Sequence, residues 1–136
     1  MGKAFFLIVD DDPVLNRAYM RMAGRYFLES GRQIETLTAH SGPEALKITE
    51  EKRSAFPDAE WGLLSDYDMP DMTGAELIDR LDKKLGIKLV WRLVITGALD
   101  DARKAEIEAK QSFVDQKPIE KKDFESYLYT FMMSLA

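Results

Sequence analysis

Five apolar runs, each followed by a helical pattern, constrain this chain more than any other feature. The runs are "AFFLIV" (4–9), "QIETLTAH" (33–40), "WGLLSD" (61–66), "KLVWRLVITG" (88–97) and "SFVDQKP" (112–118). The first is continuously apolar, as a strand covered on both faces must be. The second alternates loosely at Ile34, Leu37 and Ala39 and reads as an edge strand. Between the runs, Asp12 stands at a cap position with Pro13 at the first helical residue. Leu15, Tyr19, Met22 and Tyr26 then recur at helical spacing until Gly31. "SGPEALKITEE" opens a helix at a Ser41 cap, with Pro43 in its first turn. "TGAELIDRLDKKLG" (73–86) predicts a helix that turns Leu77, Ile78, Leu81 and Leu85 inward. "DDARKAEIEAK" (100–110) is a short, highly charged helix, and "EKKDFESYLYTFMMSLA" (120–136) carries a stripe of Phe124, Leu128, Phe131 and Leu135. "KRSAFPDAE" (52–60), polar and broken by proline, reads as a loop. Strand and helix alternating in this way predict an α/β fold: a parallel sheet with right-handed crossovers and helices on both faces.

Composition narrows the class. The chain has 136 residues, which suits one domain over 1–136, and the pattern ending on a fifth helix leaves no room for a second. Hydrophobic residues at 46% and charged ones at 32% describe a globular chain. The absence of cysteine excludes disulfides and thiolate metal sites. The first apolar run is too short for a signal core or a membrane span, and Phe6 stands where a myristoylation signal wants Ser or Thr. A cytoplasmic protein without membrane contact is expected. A net charge of −5 offers no electrostatic grip on nucleic acid. Arg17, Arg21 and Arg25 form one stripe at i, i+4, i+8, either a solvated face or a docking edge for an acidic partner.

The charged residues at the ends of the strands carry the chemistry. Ligands of an open parallel sheet collect beyond the carboxyl ends of its strands. There the chain places Asp10 and Asp11, Asp66 followed by Asp68, Thr96 with Gly97, and Lys117 with Pro118. In the flavodoxin-like strand order 2-1-3-4-5 the first and third strands are neighbours, so Asp10, Asp11 and Asp66 converge. Two unit charges ~4 Å apart repel by about 4 kcal/mol at an effective dielectric near 20. Such a cluster holds a proton or recruits a cation. Oxygen ligands sparse enough to leave waters in place suit Mg²⁺ better than Ca²⁺. Lys117 adds a positive charge, Thr96 a hydroxyl donor, and Gly97 a backbone N–H with no side chain in the way. Together these groups suit a phosphoryl group placed on a carboxylate, its spread charge met by cation, lysine and hydroxyl.

"LIVDDDP", "LLSDYDMPDMTG", "LVITG" and "DQKPI" resemble the receiver domain of two-component response regulators, in order and spacing, over essentially the whole chain. The resemblance implies a flavodoxin-like (βα)5 fold with a five-stranded parallel sheet in the order 2-1-3-4-5. It implies that Asp66 accepts a phosphoryl group from phosphohistidine on a sensor histidine kinase or a histidine phosphotransfer protein, with Mg²⁺. Asp11 and Asp66 would ligate the ion, Asp10 would help through water, and Asp68 would offer its backbone carbonyl. Lys117 would pair with phosphoryl oxygens beside a cis bond to Pro118, and Thr96 would hydrogen-bond the phosphoryl group. Such a domain signals to a protein target and catalyses only its own phosphorylation and dephosphorylation. The sequence departs from the family where an aromatic residue usually stands three places before the lysine. Val114 is there, with Phe113 one place earlier and on the opposite face. Asp68 could repel incoming phosphate or orient the hydrolytic water. Ala98 is small enough to leave water access open, and a phosphorylated state lasting minutes is expected.

Competing readings are weaker. A calcium loop would need Asp at 70 and Gly at 71, where the chain has Pro70 and Asp71. A haloacid-dehalogenase-like phosphatase also uses D-x-D after an apolar strand, but expects Thr or Val where Pro70 stands and a larger chain. His40, the single histidine, reads as an exposed turn residue, and Trp61 and Trp91 as packing residues. Tyr127, Tyr129, Met132 and Met133 exceed what one helix face buries, which suggests a partner surface or a homodimer through the fourth and fifth helices.

Overall fold

The computed structural model describes residues 2–136. Five strands form one parallel sheet: β1 (Ala4–Val9), β2 (Ile34–Ala39), β3 (Glu60–Asp66), β4 (Lys88–Thr96) and β5 (Phe113–Gln116). Their order is β2-β1-β3-β4-β5, with β2 at an edge. The helices are α1 (Pro13–Glu29), α2 (Gly42–Ala55), α3 (Gly74–Asp79), α4 (Asp101–Glu108) and α5 (Lys121–Ser134). This is the flavodoxin-like order expected from the sequence.

The local signals act as elementary chemistry requires. The Asp12 carboxylate accepts from the Val14 and Leu15 N–H groups, and the Ser41 hydroxyl from that of Glu44. β1 serves two cores by alternation. Phe5, Leu7 and Val9 join Trp61, Leu63, Leu77 and Ile78 on one face. Phe6 and Ile8 join Tyr19, Phe27, Trp91, Phe124, Leu128 and Phe131 on the other. Trp61 and Trp91 are buried packing residues. Among the described residues, no helix is long and apolar enough to cross a membrane.

Four expectations are corrected. The segment 52–60 is not all loop: α2 runs to Ala55, and β3 begins at Glu60. Lys52 lies in the last turn of that helix, with its ammonium 3.1 Å from Glu35 of β2. The helix expected over 73–86 is regular only to Asp79 and widens into a π turn over Arg80–Lys84, where the Leu85 N–H reaches back to the Arg80 carbonyl. On α1 the buried residues are Asn16, Tyr19, Ala23 and Phe27, while Leu15, Met22 and Tyr26 are half-buried. Asn16 shifts the face, because its amide donates to the Asp10 and Ala39 carbonyls at 2.9 Å each. On α5, Met132 is buried and Tyr127 half-buried, leaving Tyr129 and Met133 exposed.

Candidate functional site

β1 and β3 pair in parallel with Val9 opposite Ser65, so the residues that follow, Asp10 and Asp66, emerge side by side. Both are buried, at 1% and 5% exposure, whereas Asp11 is exposed. Oxygens of Asp10, Asp11 and Asp66 lie within 4.8 Å of one another. Lys117, just beyond β5, places Nζ 3.1 Å from Asp10 Oδ2 and 3.3 Å from Asp66 Oδ2. Asp10 Oδ1 accepts the Asp12 N–H at 2.9 Å, so both oxygens of Asp10 are held. The Lys117–Pro118 peptide bond is cis.

Burial, joined by the charge of Asp10, pushes the Asp66 carboxyl up to about 6 against the opposing pull of Lys117 and the Asp68 N–H. Burial works to lower the Lys117 ammonium, but the hydrogen bonds and charges of Asp10 and Asp66 outweigh it and hold it above its ordinary value. One lysine therefore leaves the three carboxylates under-compensated. Three hard oxygen donors, two of them withdrawn from water, are a donor set that fits Mg²⁺.

The strand ends on the other side hold Thr96 and Asp68 differently from the sequence reading. Thr96 is buried, and its hydroxyl accepts from Arg103 Nη1 at 2.9 Å. Arg103, on α4, also donates to Asp68 Oδ2 at 3.2 Å and to the Ala98 carbonyl at 3.0 Å. Its guanidinium lies over the Tyr67 ring, 4.2 Å from the centroid. Asp68 is thus engaged in an ion pair, and the space beside Ala98 is occupied by an arginine, where an open water path was expected. Sequence reasoning missed Arg103 because it sits in a helix whose charges all read as solvated. Its position seven residues after Thr96, in the first turn of the next helix, was the available signal. Asn16 and Tyr19 were missed as well. The ring of Tyr19 is buried near enough to Lys117, Asp10 and Asp66 to feel their charges.

Gly74 is where the backbone demands glycine: a Cβ there would lie 2.7 Å from the Asp66 carbonyl oxygen. Gly97 is exposed, and a Cβ there would meet nothing within 4 Å, so packing alone does not require it. Val114 is half-buried against the core cluster that includes Leu77, Val94 and Ile107, while Phe113 lies against Trp91 and Tyr127 on the other face. His40 is exposed, 3.6 Å from Glu44 Oε2. Arg17, Arg21 and Arg25 are all exposed; Arg21 and Arg25 line a hollow with Lys121 and Glu125 of α5.

With this geometry in hand, comparison with known proteins gives a consistent picture. The family model of the response regulator receiver domain matches residues 6–129. The chain belongs to that family, whose members are signalling domains of two-component systems. Comparison with curated proteins gives no match. Among solved structures, the Vibrio cholerae chemotaxis protein CheY4 shares 27% identity over 98% of this chain and 99% of its own, with a TM-score of 0.68. The receiver domain of a DNA-binding response regulator from Colwellia psychrerythraea 34H gives a TM-score of 0.78 at 18% identity, covering 96% and 99%. A CheY-like receiver from Methanospirillum hungatei JF-1 gives 0.66 at 20%, covering 96% and 94%. The last two speak for the fold alone. The family match favours the receiver reading over the haloacid-dehalogenase alternative.

Proposed function

We propose that this chain accepts a phosphoryl group on Asp66 from the phosphohistidine of a sensor kinase or phosphotransfer protein. The observation that carries the reading is the gathering of Asp10, Asp11, Asp66 and Lys117 into one pocket at the ends of β1, β3 and β5. Asp66 Oδ forms the new bond to phosphorus while the N–P bond of the phosphohistidine breaks, its electron pair leaving with the imidazole nitrogen. Lys117 stands ready to pair with the phosphoryl oxygens, and Thr96 to donate its hydroxyl. Gly97 would offer its N–H with no side chain in the way. Asp11 and Asp66 would hold Mg²⁺, with Asp10 acting through water and Asp68 through its backbone carbonyl. The ion supplies neutralisation of the charge gathered on the transferring group. The phosphorylated domain then signals by a shift in α4 and its surroundings to a protein target. A cytoplasmic location and output through a homodimer of α4–α5 faces fit this role.

Incubation with acetyl phosphate and Mg²⁺ tests the proposal. Labelling should stop at one phosphoryl group per chain and vanish in Asp66→Asn or without the metal ion. Sustained turnover of a generic phosphomonoester would instead establish a phosphatase.

A further inference from the structure

Resting on the phosphoacceptor reading, a further role attaches to a residue of α4. A threonine hydroxyl has one proton and two acceptor positions. On Thr96 one acceptor position is filled by Arg103 Nη1 at 2.9 Å, and the Ala98 N–H approaches the other at 3.3 Å. Its own proton finds only distant partners, Asp68 Oδ2 and the Ala98 carbonyl, each at 3.4 Å. Those distances lie at the outer edge of hydrogen bonding. Thr96 is buried, so bulk water is a poor substitute. This is a hydroxyl whose lone pairs face donors and whose proton awaits a better acceptor.

We infer that Arg103 is a positioning residue that points the Thr96 proton at the phosphoryl group and makes α4 follow Thr96 when the group arrives. A charged donor on a hydroxyl oxygen strengthens the hydroxyl as a donor in turn. The guanidinium is itself fixed: the same Nη1 also donates to Asp68, and the Tyr67 ring lies beneath the plane. Lysine has no planar group that could lie on that ring while donating to Thr96. The coupling to α4 is physical. Among the described residues of α4, Ile107 alone is buried, so the helix is tied to the end of β4 and the loop after β3 largely through polar contacts. Arg103 reaches Thr96 and Asp68, and Glu106 accepts from the Tyr67 hydroxyl at 2.5 Å. The arginine occupies the coupling role for which β5 supplies no aromatic residue at Val114.

A double-mutant cycle on the rate of labelling by acetyl phosphate tests this, with Arg103→Gln, Thr96→Val and the pair. Arg103→Gln should slow labelling about tenfold, less than loss of a donor that itself contacts the transferring group. Added to Thr96→Val it should slow nothing further. Arg103→Lys should stay slow. With beryllofluoride as the phosphoryl mimic, amide exchange in α4 should change in the wild type and not in Arg103→Gln. Thermal midpoints of the resting variants confirm that each is folded. Multiplicative effects in the pair would mean that Arg103 acts independently of Thr96, and would overturn the inference. So would wild-type rates, or an intact α4 response, in Arg103→Gln. A wild type that neither labels nor responds to beryllofluoride overturns the phosphoacceptor reading and this inference with it.

Discussion

α5 and α4 flank β4 and β5, and they are held in opposite ways. α5 buries Phe124, Leu128, Phe131 and Met132 against an aromatic cluster that includes Phe6, Phe27 and Trp91. Trp91 adds a hydrogen bond to Thr130 of α5 at 2.9 Å. α4 has Ile107 in the core and, beyond that, charged contacts with Tyr67, Asp68 and Thr96. Dispersion and burial do not respond to a new charge, whereas ion pairs and hydrogen bonds do. On the proposed function, a phosphoryl group arriving on Asp66 would have leverage on α4 and little on α5. The fold thus sets a helix anchored by burial beside one tied mainly by polar contacts.

The largest effect should come from the anchored side. Phe131→Ala should cost about 3–5 kcal/mol of global stability in denaturant unfolding. Ile107→Ala should cost about 2 kcal/mol, at the low end for such truncations, because one poorly covered helix can collapse or detach. Amide exchange should show the first loss spread over the whole sheet and the second confined to α4. Equal, global losses would break the comparison.

The site offers the next test. The carboxyl of Asp66 is raised from 3.8 to about 6 in the folded chain. The fold therefore holds a proton that the unfolded chain releases, and metal-free stability should fall as pH rises from about 4 to about 6. The shift corresponds to about 3 kcal/mol at most. Mg²⁺ should restore stability above that window, and Asp66→Asn should flatten the pH profile and be more stable than the metal-free parent at neutral pH.

Much of this was legible in the chain because strand-end aspartates follow apolar runs, so a burial pattern and a charge pattern mark the same positions. Asp10, Asp66, Thr96 and Lys117 could be placed at strand ends from the sequence alone. What escaped was polar structure inside helices. Helical spacing marked Leu15 and Met22 on α1, but it could not mark Asn16, whose buried amide donates to two strand-end carbonyls. The charges of α4 gave no hint that one of them would lie on an aromatic ring. The π turn after α3 has no compositional mark of its own.

Gly74→Ala should cost about 1–3 kcal/mol, since the added carbon meets the Asp66 carbonyl, and should slow labelling as well. Gly97→Ala, with open space around it, should leave stability within about 0.5 kcal/mol. Tyr129→Ser and Met133→Ser, both exposed on α5, should also stay within about 0.5 kcal/mol. Sedimentation of these two with beryllofluoride sharpens the contrast: a dimer lost in the variants assigns α5 the partner and α4 the switch.

Fluorine NMR of beryllofluoride binding tests the shared pocket most directly. The account predicts a bound signal that needs Mg²⁺ and disappears when residue 66 is changed to asparagine or Lys117 to alanine. A bound signal that survives removal of the metal ion, or persists in Asp66→Asn, would contradict it.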